Sequence, residues 1–402
     1  MNTILLGLLT IGSSAVVLLV VLWLLFEWRY STRQGNWLEF DKGVWEFITY
    51  EPNFYHLSLT LTAHNETDHL DIFLTEVSPE VTLLSDYKLD DVAYKLSVRS
   101  RIPEVVSRVD NYWESYIVKG KHSAAVEIQL EIRGAHLDDL KTAWIKVYYT
   151  VYGPAGREEK LRHCIIPLQF PDVQQRPRWR PTPDADVLPI RTHILSAGDH
   201  PVDVIERYVM SHAQPGDIIT FAETPIAIMQ GGFYHPSDVR PGWLAKRLCY
   251  FFQSTSSLAT ACGLQVLVDQ SGAWRVAAAF VIGALAKAFL RIPGVFYMLA
   301  GEQARLIDDV TGTLPPYDQF IVLGPQEPQK VVDEIKERTG LEAAIVDVND
   351  LKRVKVLAAT AGAAESLLNQ ALLHNPAGNA AEQTPVVLIR PNVGNDVGSG
   401  NG

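Results

Sequence analysis

The chain has 402 residues, of which 47% are hydrophobic, so it has room for two ordinary domains with real cores and an accessory segment. Its formal net charge of −11 and the lack of any Lys/Arg run argue against a nucleic-acid partner, because neutralising phosphates needs a basic face. Cys164, Cys249 and Cys262 are odd in number, widely spaced and without a CxxC or nearby His pattern, which reads as buried thiols in a reducing compartment.

No charged side chain occurs from Asn2 to Phe26, and the run GLLTIGSSAVVLLVVLWLLF is close to the roughly 20 apolar residues of a spanning helix. Residues 1–30 are therefore predicted to be a transmembrane anchor. A cleavable signal fits less well, since no Lys or Arg precedes the core and no small-x-small site follows. Arg29, Arg33 and Lys42 come after the segment, so the positive-inside rule puts the N-terminus outside and the body in the cytoplasm, in single-pass topology.

Residues 35–171 read as an antiparallel β-sandwich. Leu57, Leu59, Leu61 and Ala63 share one face of an alternating run, as do Val126, Ile128, Leu130 and Ile132. GPAGREEK between Trp144–Tyr152 and Leu161–Phe170 supplies hairpin chemistry through Gly153-Pro154 and Gly156. Trp45, Phe54, Tyr55, Trp113 and Trp144 are expected in its core or at its edges. Asn65-Glu66-Thr67 has the glycosylation pattern, which is without meaning on the cytoplasmic side. Residues 172–191, rich in proline and without periodicity, are expected to be an extended linker.

From 192 to 392 the pattern changes to α/β. A helix is expected over His200–Ala213 with Val204, Ile205, Tyr208 and Val209 inward, then a buried strand over Ile218–Ala222. A second helix over Gln329–Thr339 ends at Gly340 and leads into a strand over Ala343–Val348. The apolar run Val276–Leu290 is interrupted by Lys287 and flanked by Arg275 and Arg291, too short for a span; a buried or peripheral helix is expected, with a membrane-lying helix as the alternative. Residues 393–402 read as a disordered tail.

In α/β folds the loops after strands are the natural site. Three such loops carry acids: Glu223-Thr224, Asp308-Asp309 and Asp347-Val348-Asn349-Asp350. The Asp308-Asp309 pair lies in GEQARLIDDVTGTLPPYDQFIVLGP (Gly301–Pro325), between glycine and Pro-Pro breakers and a short apolar strand, Phe320–Leu323. Their oxygens, brought together, suit one or two divalent ions bridging nucleotide phosphates. Each acid alone is equally well placed as a helix or turn cap.

HILSAGD (His193–Asp199), PGDIITFAETPIAIMQG (Pro215–Gly231), FYMLAG (Phe296–Gly301), IDDVTGTLPPY (Ile307–Tyr317), VLGP (Val322–Pro325), IVDVNDL (Ile345–Leu351) and NPAGNAAEQTP (Asn375–Pro385) occur in one order. In these blocks the chain, over roughly His193–Pro391, resembles the coenzyme F-420-0:gamma-glutamyl ligase family, in its bacterial branch that includes cyanobacteria. The anchor and the β-domain are then additions, and a cyanobacterial source implies a plasma or thylakoid membrane. The resemblance implies GTP- or ATP-dependent joining of glutamate, or another amine, to a carboxylate with Mg²⁺ or Mn²⁺. Asp308 and Asp347, with Asp309 and Asp350, take the metal roles. Leu195, Ser196, Ala197, Gly198, Glu223 and Thr311 line the nucleotide, and a homodimer is implied. Ala227-Ile228 stands where these ligases have Ser-Lys, removing a positive charge from the phosphates. Asp347-Val348-Asn349-Asp350 replaces Asp-Thr-Phe-Gly, Thr311 replaces an Asn, and Glu382-Gln383-Thr384-Pro385 stands where a glycine-rich site is expected. The alternative reading is a non-catalytic scaffold or assembly protein of a photosynthetic or cell-membrane complex.

Overall fold

The computed structural model describes residues 2–31 and 35–392, apart from 103–107, 109, 111, 174–177, 255, 310–313, 350–352 and 379; of residues 2–14, 31, 308, 309 and 349 it describes the backbone alone. The expected tail, 393–402, lies outside the described residues. Asn2–Ser31 is one continuous helix, α1, and its apolar side chains from Val16 to Phe26 are exposed.

Nine strands follow: β1 (Leu38–Phe40), β2 (Val44–Glu51), β3 (Phe54–Asn65), β4 (Ile72–Ser85), β5 (Ala93–Ser100), β6 (Tyr116–Val118), β7 (Ser123–Arg133), β8 (Leu140–Gly153) and β9 (Gly156–Pro167). They form two antiparallel sheets, one with β1 and β2 both on β3 and then β7 and β5, the other ordered β6-β4-β8-β9. The alternating residues of β3 and β7 meet Leu74, Ile145, Val147 and Val151 of the facing sheet in one buried core. Tyr55 and Trp113 are in that core and Trp45 packs on it, whereas Trp144 faces the next domain. The β8–β9 turn is tighter than expected: Gly153 pairs with Gly156, so only Pro154 and Ala155 turn the chain and Arg157–Lys160 belongs to the strand. Gly156 makes this fit by adopting φ +93°. The Asn65 amide is buried and donates to the carbonyls of Leu70 and Val118, both at 2.8 Å, so it is a structural group and not an exposed acceptor.

The expected linker is only partly one. Arg180–Pro181 (β10) and Ala185–Ile190 (β11) are strands, and β11 pairs with the C-terminal strand over its whole length. Ala185 and Val187 point to one side of the sheet core and Leu188 and Ile190 to the other. Pro189 is tolerated because β10 pairs only as far as Val187, leaving that edge open. The prolines masked the periodicity.

The remaining elements are α2 (Pro201–Tyr208), β12 (Ile218–Ala222), α3 (Glu223–Met229), β13 (Phe233–Tyr234), α4 (Trp243–Leu248), α5 (Ala261–Ser271), α6 (Ala273–Leu285), α7 (Val295–Leu299), α8 (Gln303–Leu306), β14 (Asp308–Asp309), β15 (Ile321–Val322), α9 (Pro328–Thr339), β16 (Glu342–Asn349), β17 (Arg353–Ala359), α10 (Glu365–Leu372) and β18 (Val386–Pro391). A six-stranded sheet runs β10-β11-β18-β12-β16-β17, with β12 and β16 parallel. α2 and α9 cover one face through Val204, Ile205, Tyr208, Val332 and Ile335, while α10 covers the other through Leu368, Ala371 and Leu372. Gly340 caps α9 in the left-handed region at φ +74°. α2 ends at Tyr208, five residues before its expected end, and the Asp217 carboxylate accepts from the Gln214 amide in the turn that follows.

A second lobe has the small sheet β13-β15-β14 and helices α4 to α8 around one core. The run 276–290 lies here as α6 and its continuation Ala286–Leu290, a helix that starts at Ala273 and so has 18 residues; it is, contrary to expectation, long and apolar enough to cross a membrane by length and composition. It is peripheral and not buried: Val276, Ala279 and Ala286 turn inward and most of the rest is exposed. Cys164 and Cys249 are buried, but Cys262 is half-buried, and none of the three is in a disulfide. Burial pushes the Cys164 thiol up to about 11.

One clamp ties β18 to the loop entering β12. Arg390 donates through Nε and Nη2 to the buried Asp217 carboxylate at 2.9 and 2.7 Å, donates again to the His212 carbonyl, and rests on the Trp179 ring. Removing one partner leaves the other charge unpaired, so Asp217→Asn is expected to cost roughly 3–5 kcal/mol in urea unfolding. A loss under about 1 kcal/mol, the value of a surface pair, would show that the clamp does not hold the sheet.

Candidate functional site

The parallel pair fixes the geometry. Ala222 of β12 is in register with Val346 of β16, and both strands run the same way. The pairing ends at that point: Glu223 leaves the sheet, whereas Asp347 stays inside β16, which runs on to Asn349, and so is not in the expected loop after the strand. Glu223 opens α3, where the helix N-terminus favours an anionic group, and its Oε2 atom is buried. Asp347 is half-buried and pairs across the sheet with Lys355.

Two cavities flank this strand end and share Ala222, Ala377, Gly378 and Pro385. The larger, of about 210 Å³, is also lined by His193, Leu195, Thr224, Tyr317, Gln383 and Thr384. The smaller, of about 90 Å³, reaches Thr220, Val346 and Val348. This is where ligands bind in open α/β sheets, outside the carboxyl ends of the strands.

The loop Leu195–Gly198 is held by a buried hydrogen-bond chain. The Tyr208 hydroxyl donates to His193 Nδ1 (2.7 Å), and His193 Nε2 donates to Asp199 Oδ1 (2.9 Å). Asp199 Oδ2 accepts from the amide (2.8 Å) and hydroxyl (3.0 Å) of Ser196. The buried Tyr317 hydroxyl donates to the Leu195 carbonyl at 2.9 Å, and burial raises its pKa well above the ordinary tyrosine value. Leu195 thus lines the cavity and Ser196 is buried and already bonded. Ala197 is half-exposed and Gly198 lies against Trp45 of the sandwich, so neither lines the larger cavity.

Asp308 and Asp309 form β14, in register with Val322 and Ile321 of β15. Thr311 and Asp350 lie outside the described residues, as do the side chains of Asp308 and Asp309. α3 packs against both β15 and β16, so it joins the strand bearing Asp347 to the small sheet that carries Asp308. Among the described residues no group of three or more His, Cys, Asp or Glu side chains is arranged to hold a metal. Ala227 and Ile228, at the Ser-Lys positions, are buried apolar side chains, and Gln230 exchanges hydrogen bonds with the backbone of Gln326. Gln383 and Thr384, which stand where the resembled ligases have a glycine-rich site, line the cavity.

The sandwich supports the back of this site. Trp144 and Ile165 pack with Ile194, Ala227, Ile228, Tyr317 and Phe320 in one buried cluster. Trp144 Nε1 donates to His163 Nδ1 at 3.0 Å, His163 Nε2 reaches Asp238 Oδ2 at 3.1 Å, and Lys42 Nζ donates to the Met229 carbonyl at the end of α3. None of His193, His163, Asp199 and Tyr208 was expected from sequence to act in the site; Tyr208 was read only as an inward side chain. The available signal was that His193 and Asp199 bound one block, with Tyr208 on the inward face of the next helix.

Residues 39–170 match the family model described as F420-0:gamma-glutamyl ligase, N-terminal Ig-like domain. The match falls on the β-domain that the sequence reading took as an addition, and it covers about a third of the chain. No curated protein matches the chain. Among solved structures, the GAE domain of GGA2p from Saccharomyces cerevisiae is 10% identical with a TM-score of 0.21, covering 34% of this chain and 95% of its own. The CupB6 tip adhesin from Pseudomonas aeruginosa is 14% identical with a TM-score of 0.22, over 32% of this chain and 51% of its own. At such scores these likenesses carry no argument.

Two outcomes are expected. Asp199→Ala frees the Ser196 amide and leaves His193 with one partner, so that amide's hydrogen exchange should accelerate and stability fall by roughly 1–3 kcal/mol; unchanged exchange would contradict the role given to Asp199. The second concerns His235, which packs on His163 and Phe320 and whose pKa is lowered, first by burial and then by His163. A His with a depressed folded pKa contributes stability above its unfolded pKa of about 6.5 and loses it as pH falls toward the folded value. Thermal melts should therefore fall between pH 7.5 and 5.5, and His235→Phe should reduce that fall; an equal fall in the variant would contradict the assignment.

Proposed function

We propose that the body is a nucleotide- and metal-dependent carboxylate–amine ligase of the F-420-0:gamma-glutamyl ligase type, held on a membrane by α1. The observation that carries this reading is the cavity at the C-terminal end of the parallel pair β12–β16, where the residues following the paired Ala222 and Val346 are Glu223 and Asp347. Glu223 and Asp347 are proposed to supply carboxylates to a divalent ion, and Asp308 and Asp309 to complete its oxygen ligands. When bound, the ion would neutralise charge on the nucleotide phosphates during activation of the acceptor carboxylate. The Leu195–Gly198 backbone, fixed by Asp199 and Tyr317, would position the nucleotide, with Thr224 and Gln383 as polar groups in the cavity wall. The match of residues 39–170 supports the kinship.

α1, with 30 residues and about 45 Å of length, suits a single crossing with the N-terminus outside and the body in the cytoplasm. A non-catalytic scaffold is a second reading, favoured by the buried, apolar Ala227 and Ile228 at positions that carry Ser-Lys in the resembled ligases.

Calorimetric titration of GTP and ATP, each with Mg²⁺ and then Mn²⁺, into the full chain in nanodiscs tests the choice. The ligase reading expects metal-dependent binding that Glu223→Gln with Asp347→Asn weakens by at least roughly tenfold. No binding by the folded chain would leave the scaffold.

A further inference from the structure

The lobe of helices α4 to α7 presents a surface that the ligase reading does not use. Trp243, Tyr250, Phe251, Trp274, Phe289 and Leu290 are all 68% exposed or more. Water does not favour so many large apolar side chains together, and such a patch on an ordered lobe marks a docking face. Its charge indicates the partner. From residue 240 to 301 the chain has six basic residues, Arg240, Lys246, Arg247, Arg275, Lys287 and Arg291, against the single acid Asp269, although the whole chain has a net charge of −11. Lys246, Arg247, Lys287 and Arg291 are exposed, and none makes an ion pair among the described residues.

We infer that this face lies on an anionic lipid leaflet, as a second membrane contact separate from α1. Exposed aromatic rings together with exposed Lys and Arg on one lobe are the composition of an interfacial surface: the rings enter the headgroup boundary while the cations meet lipid phosphates and carboxylates. The helix lies on the membrane and does not cross it. Val276 and Ala279 of α6 are fastened to the lobe core, together with Phe296 of α7. At Gly283 a Cβ would come within 2.9 Å of the Phe296 backbone, so α6 and α7 touch too closely for lipid to surround α6. Lys287 also falls within its apolar run. The opposite face, with Trp274, Val281, Ile282 and Leu285, is free for the bilayer surface.

The test uses the full chain with Ala288→Cys carrying a polarity-sensitive fluorophore in a Cys262→Ser background, since Cys164 and Cys249 are buried. It is reconstituted in vesicles of phosphatidylcholine alone or with phosphatidylserine, each containing a lipid nitroxide at either a shallow or a deep acyl position. The expected result is a blue-shifted emission quenched by the shallow nitroxide and stronger with phosphatidylserine. Joint substitution Lys246→Glu, Arg247→Glu, Lys287→Glu and Arg291→Glu should reduce the quenching by roughly tenfold or more, with the melting temperature showing that the lobe still folds. Water-like emission on both vesicles would overturn the inference. So would a blue shift without lipid quenching, meaning that α1 or a second copy covers the face. Deep quenching insensitive to lipid charge would mean insertion across the bilayer and would also overturn it.

Discussion

The parallel pairing of β12 with β16 is the constraint on which the body depends. A parallel pair cannot be closed by a tight turn, so the chain between these strands must make a long crossover. Here that crossover carries α3, the small sheet and the whole helical lobe before α9 returns to β16. Antiparallel β18 on the other side of β12 closes the core, and the Arg390–Asp217 clamp holds it in place. The same register that builds the core puts Glu223 and Asp347 one residue beyond its last pair, Ala222 with Val346.

The sandwich is more than a spacer between α1 and the body. Trp144, which alternation placed among the sandwich aromatics, packs against Phe320 and the residues behind the cavity. Lys42 caps the end of α3, and Trp45 lies over Gly198. The β-domain therefore bears directly on the loop and the helix that shape the site. That arrangement accords with the match of residues 39–170 to an N-terminal Ig-like domain of a ligase family.

Where one periodicity ruled, the sequence was legible. Leu57 to Ala63 and Val126 to Ile132 alternate because each strand has one wet and one buried face, and β12 was bounded correctly, with Pro215-Gly216 breaking the chain before it. Legibility failed where prolines or long-range partners decided the outcome. Ala185–Ile190 looked like linker because Pro181, Pro183 and Pro189 obscure the alternation, and its strand state is set by β18, about 200 residues away. α6 was expected as a buried or peripheral helix because apolar content alone does not reveal which side has a neighbour, and its exposed side chains put it at the periphery. In the site, the acids were expected as loop residues after strands, but Glu223 opens α3, Asp308 and Asp309 form β14 and Asp347 lies inside β16, because helix and strand run through the expected loops. The role of His193 was hidden because its partners Asp199 and Tyr208 are at spacings that match no local motif.

The most direct measurement of the central claim is Mn²⁺ titration followed by electron paramagnetic resonance, using the full chain in nanodiscs with and without GTP or ATP. The account predicts a bound-Mn²⁺ signal that nucleotide strengthens, that disappears in Glu223→Gln with Asp347→Asn, and that survives Glu334→Gln on the surface of α9. A signal indifferent to the double substitution, or none from the folded chain, would contradict a metal–nucleotide site at the β12–β16 edge.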